Sequence, residues 1–316
     1  MTPPLALDAG LAVLVLAVAA STIAARGTFA SVIGFVTYGL LLALAWVRLS
    51  AVDVALTEAA IGGGVTGVLL LTASARLRRA EKSPAPAEHP GLVLRVTAAI
   101  LSTLVAAGLA AVVLMPASPV PTLAPAAMAN LPATGLGNPV AAVLLAYRAW
   151  DTLLEKVVLL LALLGVWSLA PDLLWGGRPG PRHLVRQESP LTLLAQFLPP
   201  VGIVVSIYLV WNGATAPGGA FPGGTILAAM WILVMQADLA DAPAVGSRTL
   251  RIVLVAGAAL FLAVGLAGFV VADAFLAYPA GYAKPLIVAI EIPLTLSIAA
   301  TLGLLVAGPP ARAPEA

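Results

Sequence analysis

The residues of this sequence best placed to do chemistry are the ionisable side chains inside its long apolar runs. A charge near the centre of a bilayer costs about 2.5–3.5 kcal/mol, so its presence asks for a reason. Glu58 is the deepest acid, nine residues beyond Leu49, which is about 13 Å along a helix rising ~1.5 Å per residue. Asp53, five residues earlier, is turned about 140° around the same helix and falls nearer the outer interface. The two therefore do not form a paired-carboxylate catalyst. Gly62, Gly63 and Gly64 follow Glu58. Each costs about 1 kcal/mol of helix propensity and invites a break, a close helix contact or a π-bulge. A deep carboxylate beside a weak helix segment suits an ion path that opens and closes. It equally suits a protonated Glu hydrogen-bonded to a neighbouring helix, with the glycines serving helix contact.

Three further segments carry candidates. Between Tyr147 and Lys156, the residues Arg148, Asp151, Thr152 and Glu155 are spaced i, i+3, i+4 and i+7, one face of a helix, whereas Lys156 points elsewhere. This is either the entrance of a charge relay or an interfacial salt-bridge cluster that orients the helix. The preceding stretch 139–146 is apolar but too short to cross a bilayer, which places it at the outer interface. Glu291 stands about 10 Å into another apolar run, and Pro293 just after it frees a backbone carbonyl, a combination that coordinates a cation or marks a kinked helix pairing with another subunit. Finally, Trp211 to Thr225 contains Gly213, Pro217, Gly218, Gly219, Pro222, Gly223 and Gly224, an irregular turn that packs into a cavity or against a helix. It lacks the Lys-Ser/Thr of a phosphate loop.

These side chains have to be positioned by membrane-spanning elements. Of 316 residues, 61% are hydrophobic and only 9% charged, against about a quarter charged in a soluble domain. A soluble enzyme is excluded. The net charge of +2 gives no basis for nucleic-acid binding. There is no cysteine, and His89 and His183 have no partner at metal-ligand spacing, so no cofactor and no metal site is implied. Without a Ser/His/Asp set or a nucleotide motif, catalysis by this chain alone is not expected. Nine candidate spans cover approximately 5–25, 28–49, 51–75, 92–114, 150–170, 192–211, 222–239, 250–271 and 284–307. Without the alternation of barrel strands they should be helices, giving an all-α, polytopic integral membrane protein. Twelve of its sixteen Lys and Arg residues fall on one side: Arg26, Arg76, Arg78, Arg79, Lys82, Arg95, Arg178, Arg182, Arg186, Arg248, Arg251 and Arg312. That bias puts the N-terminus outside and the C-terminus in the cytoplasm. Two charged, Pro-rich cytoplasmic linkers, 76–90 and 176–190, divide the spans into blocks of three, two and four, and the uncharged stretch 115–139 reads as an outside loop. No internal repeat of the kind found in many secondary transporters is visible.

Several strings resemble a known set of membrane subunits. Gly34-Phe35-Val36-Thr37-Tyr38-Gly39-Leu40 with Asp53-Val54-Ala55-Leu56-Thr57-Glu58 is similar to the D-type subunit of energy-converting hydrogenases and the matching part of the large Mrp antiporter subunit. Asn138-Pro139-Val140, with Arg148 to Glu155 and Gly165-Val166, resembles the E-type subunit. Residues 192–308, with Pro217-Gly218-Gly219-Ala220-Phe221-Pro222-Gly223-Gly224, resemble the B-type subunit of Mrp-type sodium/proton antiporters, although Trp211-Asn212-Gly213-Ala214 stands where that pattern usually has Gly-His. The resemblance implies a D-type block over 1–83, an E-type block over 84–175 and a B-type block over 187–316. It implies a non-catalytic subunit of a multisubunit cation (sodium)/proton antiporter, sited beside the pump subunits in a bacterial or archaeal cytoplasmic membrane. Its partners would be other membrane subunits, a monovalent cation and protons. The alternatives are a membrane-arm subunit of a redox-driven hydrogenase or complex I-like pump, a purely structural assembly subunit, or a stand-alone transporter. By the same resemblance Glu58 is the acid of the D-type string, Gly62 to Gly64 lie where the related complex I subunit has a π-bulge, and Arg148, Asp151 and Glu155 match the E-type motif.

Overall fold

The computed structural model describes residues 3–80, 91–115, 122–180, 190–279 and 281–313. Lys82, His89, Arg182, His183 and Arg186, with most of both expected linkers, lie outside the described residues. Of the described residues, 79% are helical. Its helices are α1 (Pro3–Ala24), α2 (Thr28–Arg48), α3 (Val52–Thr57), α4 (Thr66–Ala80), α5 (Leu92–Leu114), α6 (Ala124–Thr134), α7 (Pro139–Ala142), α8 (Ala149–Trp167), α9 (Pro190–Asn212), α10 (Ala220–Gln236), α11 (Arg248–Val271) and α12 (Ala283–Ala307). A π-helical stretch, Glu58–Val65, joins α3 to α4 without a break, and a second one, Val143–Tyr147, follows α7. Among the described residues, seven helices are long and apolar enough to cross a membrane. The two remaining expected spans are helical but fall short. In α8, Asp151, Glu155 and Lys156 lie within 19 residues, and α10 has 17 residues, about 25 Å at ~1.5 Å each.

The first three expected spans form an antiparallel hairpin and a third helix. At the open end of the hairpin, Arg48 Nε is 2.7 Å from Asp8 Oδ1. Helix α2 rests against the π-helical stretch where Gly39 meets Gly63; a Cβ on Gly39 would stand 3.0 Å from Gly63 N. The centre of the molecule is α12, flanked by α8, α9, α10 and α11. Ile287, Ile290, Leu294 and Ile298 of α12 and Phe261 of α11 are fully buried in the main core. Neighbouring helices are also tied by polar groups, since lipid offers no competing partner: Ser206 Oγ donates to Gly223 O at 2.8 Å and Ser297 Oγ to Leu254 O at 2.5 Å. By contrast, α5 buries none of its residues.

Three local expectations change. Part of the stretch expected as a loop, 115–139, is helix α6, since its alanines favour helix and Pro125 falls in the tolerated first turn. Residues 139–146, expected as a separate apolar segment at the outer interface, are packed into the protein. Ala141, Ala142 and Leu145 belong to the main core, because Asn138 caps α7 and the glycine-rich loop covers it. The expected second linker starts as ordered structure: Arg178–Pro179 (β1) pairs antiparallel with Pro310–Arg312 (β2), and Asp241 Oδ1 accepts from Arg312 at 2.7 Å. Arg76, Arg178 and Arg312, all expected on the cytoplasmic side, thus gather at the end of α10 and α12 opposite to Asp53, Asn138 and Gly218.

Candidate functional site

A cavity of about 330 Å³ opens between α3, α7, α8, α12 and the glycine-rich loop. Its size is enough for on the order of ten waters at ~30 Å³ each. Asp53, Glu155, Lys156 and Glu291 all line it. Four of the seven titratable candidates, more than two hundred positions apart at the extremes, therefore share one wall.

Glu291 is 3% exposed. Its Oε1 accepts from the backbone N–H of Ala220 at 3.1 Å, which satisfies an orphan donor in the first turn of α10. Its Oε2 has no hydrogen-bond partner among the described residues. The approach depends on Gly219, which has φ +99° and where a Cβ would lie 2.9 Å from the carboxylate. The glycine loop is thus a device that brings a helix N-terminus onto a buried acid. Helix α12 continues through Pro293, and Thr295 Oγ1 bonds back to Glu291 O at 2.7 Å; the carbonyl that Pro293 leaves without its helical donor is that of Ala289, one turn earlier.

Asp53 faces the same cavity and latches three parts of the chain. Its Oδ1 accepts from Gly218 N–H at 3.0 Å and stands 3.4 Å from Asn138 Nδ2. Asn138, 4% exposed, also donates to Gly213 O at 3.2 Å and Ala216 O at 3.1 Å, and its Oδ1 accepts from Val140 N–H at 2.9 Å. Two amide hydrogens face three acceptors, so the longest contact, to Asp53, is the shared one. Asn138 was not singled out from the sequence as a site residue, although Asn followed by Pro at the first helical position is a readable helix start.

The expected charged face of α8 is split. Arg148 precedes the helix with φ −130° and pairs with Asp151 at 2.6 Å on the exposed surface. Thr152 is buried, its hydroxyl donating to Leu144 O at 2.6 Å. Lys156, expected to point away from Glu155's face, lines the cavity with it. It is 5% exposed, and its Nζ lies 4.3 Å over the centre of the Phe221 ring. The second π-helical stretch partitions this cavity from an outer groove of about 710 Å³: Leu144 and Leu145 line the former, Val143, Ala146 and Tyr147 the latter. A π-turn shifts the backbone pairing, with Arg148 N–H reaching Val143 O at 2.8 Å. The carbonyls of Leu144 and Leu145 then take hydroxyl donors, Thr152 and Tyr278, the latter at 2.8 Å.

Glu58 is not in the cavity. It begins the first π-helical stretch, half-buried, and its carboxylate folds back over Gly62, occupying the space a Cβ there would need. Among the described residues no hydrogen-bond donor meets it. The expected π-bulge at Gly62, Gly63 and Gly64 is thus present, and Gly63 serves helix contact as well. Pro217, Gly218 and Gly219 form the expected irregular turn, whereas Pro222, Gly223 and Gly224, expected in the same turn, belong to the first turns of α10, where a proline at the third helical position is tolerated because the first four N–H groups of a helix have no intrahelical acceptor. Gly224 packs against α12, where a Cβ would meet Ile298 and Thr295 O at 2.9 Å.

Comparison with known proteins agrees with this architecture. Residues 13–79 match the MbhD family, described as the D subunit of MBH, and residues 190–309 match the MnhB family, described as a domain related to the MnhB subunit of the Na+/H+ antiporter. The solved Mrp complex of Dietzia sp. DQ12-45-1b contains a chain 26% identical, with a TM-score of 0.71 over 97% of this chain. This chain spans 35% of that one. A chain of an archaeal respiratory complex, the membrane-bound sulfane sulfur reductase, shares the fold with a TM-score of 0.54 at 22% identity, covering 67% of this chain and 98% of its own. No curated protein matches the chain significantly. The protein is a multi-pass membrane protein of the all-α class. More particularly, one chain carries a segment similar to the D-subunit family of MBH and, C-terminal to it, a segment similar to the MnhB-related domain family.

Proposed function

We propose that this chain is a non-catalytic subunit of an Mrp-type multisubunit cation (sodium)/proton antiporter, and that its cavity forms part of the ion path. The observation that carries the reading is the shared cavity. Asp53 comes from the D-type block, Glu155 and Lys156 from the E-type block over 84–175, and Glu291 from the B-type block. Fusing the three blocks holds the four groups in register. In this reading α8 and α10 complete nine crossings, the N-terminus is outside, and the membrane is a bacterial or archaeal cytoplasmic one. Glu291 and Asp53 offer carboxylate oxygens to a monovalent cation. The exposed Arg148–Asp151 pair flanks the outer groove, and Glu58, beside the first π-helical stretch, relays a cation or proton at mid-membrane. The partners are the other membrane subunits of the assembly.

The test is antiport by the assembled complex in vesicles carrying Glu291→Gln or Glu58→Gln, which keep size and remove titration. Loss of flux per complex is the expected result for each. Undiminished antiport in Glu58→Gln removes its relay role, and undiminished antiport in Glu291→Gln removes the cavity from the path. If the substitutions instead lower the yield of complex and leave flux per complex intact, the chain is a structural assembly subunit. The match of residues 13–79 to the MbhD family favours a second reading, the membrane arm of a redox-driven pump. Mass spectrometry of the complex purified through a tag on this chain separates them: antiporter-like subunits alone support antiport, and copurifying redox subunits support the pump.

A further inference from the structure

A lysine enclosed this deeply ordinarily has an ion-pair partner. Lys156 is 5% exposed, yet its ammonium makes no ion pair among the described residues and rests over the Phe221 ring at 4.3 Å. The ionisable groups facing the same cavity are Glu155 from its own helix, Asp53 from α3 and Glu291 from α12. The Tyr278 hydroxyl is engaged with Leu145 O, and the glycine loop contributes only backbone and the Phe221 ring. Three acids and one base give the cavity a formal charge of −2 when all are ionised. A single added cation is therefore attracted, and it meets an ammonium of its own charge already present.

We propose that Lys156 is a tethered competitor for the transported cation: its ammonium occupies the cavity formed with Asp53, Glu155 and Glu291, and a monovalent cation entering there competes with it for the field of those carboxylates. This rests on the reading of the cavity as part of the ion path. The ring of Phe221 is where the ammonium parks, because a π-face attracts a cation without directional bonds that would lock it. Glu291 Oε2, buried and without a hydrogen-bond partner among the described residues, is the acceptor left open for the incoming ion. The tether sets the cation concentration at which the path fills. A neutral residue at 156 leaves the three carboxylates to the cation alone, whereas an arginine keeps the competition.

The experiment uses the assembled complex in vesicles, with sodium chloride as the probe at one fixed pH, and reads the half-saturating sodium concentration separately from the maximal rate. A sphere of 330 Å³ is about 9 Å across. At an effective dielectric near 20, removing one unit charge over that distance changes affinity on the order of tenfold. Lys156→Gln is therefore expected to lower half-saturation on the order of tenfold, and Lys156→Arg to leave it unchanged or higher. An assembled Lys156→Gln complex with unchanged or raised half-saturation overturns the proposal. Where Lys156→Gln does not assemble, Lys156→Met, neutral and similar in length, is read the same way. Failure of both neutral variants while Lys156→Arg assembles also overturns it, since the charge is then structural. Glu291→Gln separates the two levels. If it abolishes transport while the Lys156 variants leave half-saturation untouched, only the competitor role falls; if it leaves transport intact, the reading of the cavity falls.

Discussion

Replacing Asn138 by Ala tests whether one buried amide holds the three blocks together. The truncation removes the side-chain acceptor for Val140 N–H at 2.9 Å and the donors to Gly213 O and Ala216 O at 3.2 and 3.1 Å. Loss of the helix cap costs ~1 kcal/mol. Each carbonyl stripped of its donor costs about 1 kcal/mol, the low end of the range for a buried group, because the adjoining cavity admits water. The sum is about 3 kcal/mol, or a fall in melting temperature of roughly 6 °C at ~2 °C per kcal/mol for a large domain. Asn138→Ser, which keeps an N-cap acceptor but lacks the amide donors, should recover about a third of the loss. The assay is the temperature at which the detergent-purified complex loses its size-exclusion peak, with Asn130→Ala, at an exposed amide bonded only to Ala126 O, as reference. The second readout is deuterium uptake at the Gly218 amide, which Asp53 holds. If Asn138→Ala melts with Asn130→Ala, within about 2 °C, the buried amide is not the latch and the accounting is wrong.

Other outcomes follow from single contacts. Gly62→Ala adds a Cβ where the Glu58 carboxylate lies; it should displace that carboxylate and slow antiport even while gaining about 1 kcal/mol of helix propensity. A Gly62→Ala complex with full transport would show that the folded-back Glu58 is immaterial. Thr152→Val and Tyr278→Phe each strip a hydroxyl donor from a carbonyl of the second π-helical stretch. Hydrogen exchange over 143–148 should accelerate by about fivefold, for ~1 kcal/mol per bond lost, and unchanged protection would refute the assigned support. Because the chain has no cysteine, single substitutions report sidedness cleanly. With an impermeant maleimide on whole cells, Thr215→Cys should label and Ser247→Cys should not, and the reverse pattern inverts the proposed topology.

Much of the architecture is legible in one dimension. A helix that must satisfy its own backbone in lipid needs only length and apolar composition, so seven spans and the one-sided arginines can be read without any contact information. The π-helical stretch after Glu58 was legible for a similar local reason, since three adjacent glycines lower the cost of departing from the α-helix at that point. Burial was not legible where neighbours mattered. Residues 139–146 are indistinguishable by composition from an interfacial segment, and only the cap by Asn138 and the cover of the glycine loop bury them.

The candidate site divides along the same line. Sequence by itself determined which side chains are costly in a membrane, because that cost depends on residue type and depth, and it selected Asp53, Glu58, Glu155, Lys156 and Glu291. Only the tertiary structure decided their company. Helical spacing placed Lys156 away from Glu155's face, yet a cavity subtends a wide angle and takes both. Spacing also gave Arg148 a place on that face, whereas the π-turn before α8 delivers it to the surface with Asp151. Glu58, the deepest acid by count, stays outside the cavity, and Asp53, assigned to the outer interface, joins Glu291 across it. Face and depth are properties of one helix, whereas a site is a property of how several helices pack, and that packing is set by contacts such as Gly219 against Glu291 between residues far apart in the chain.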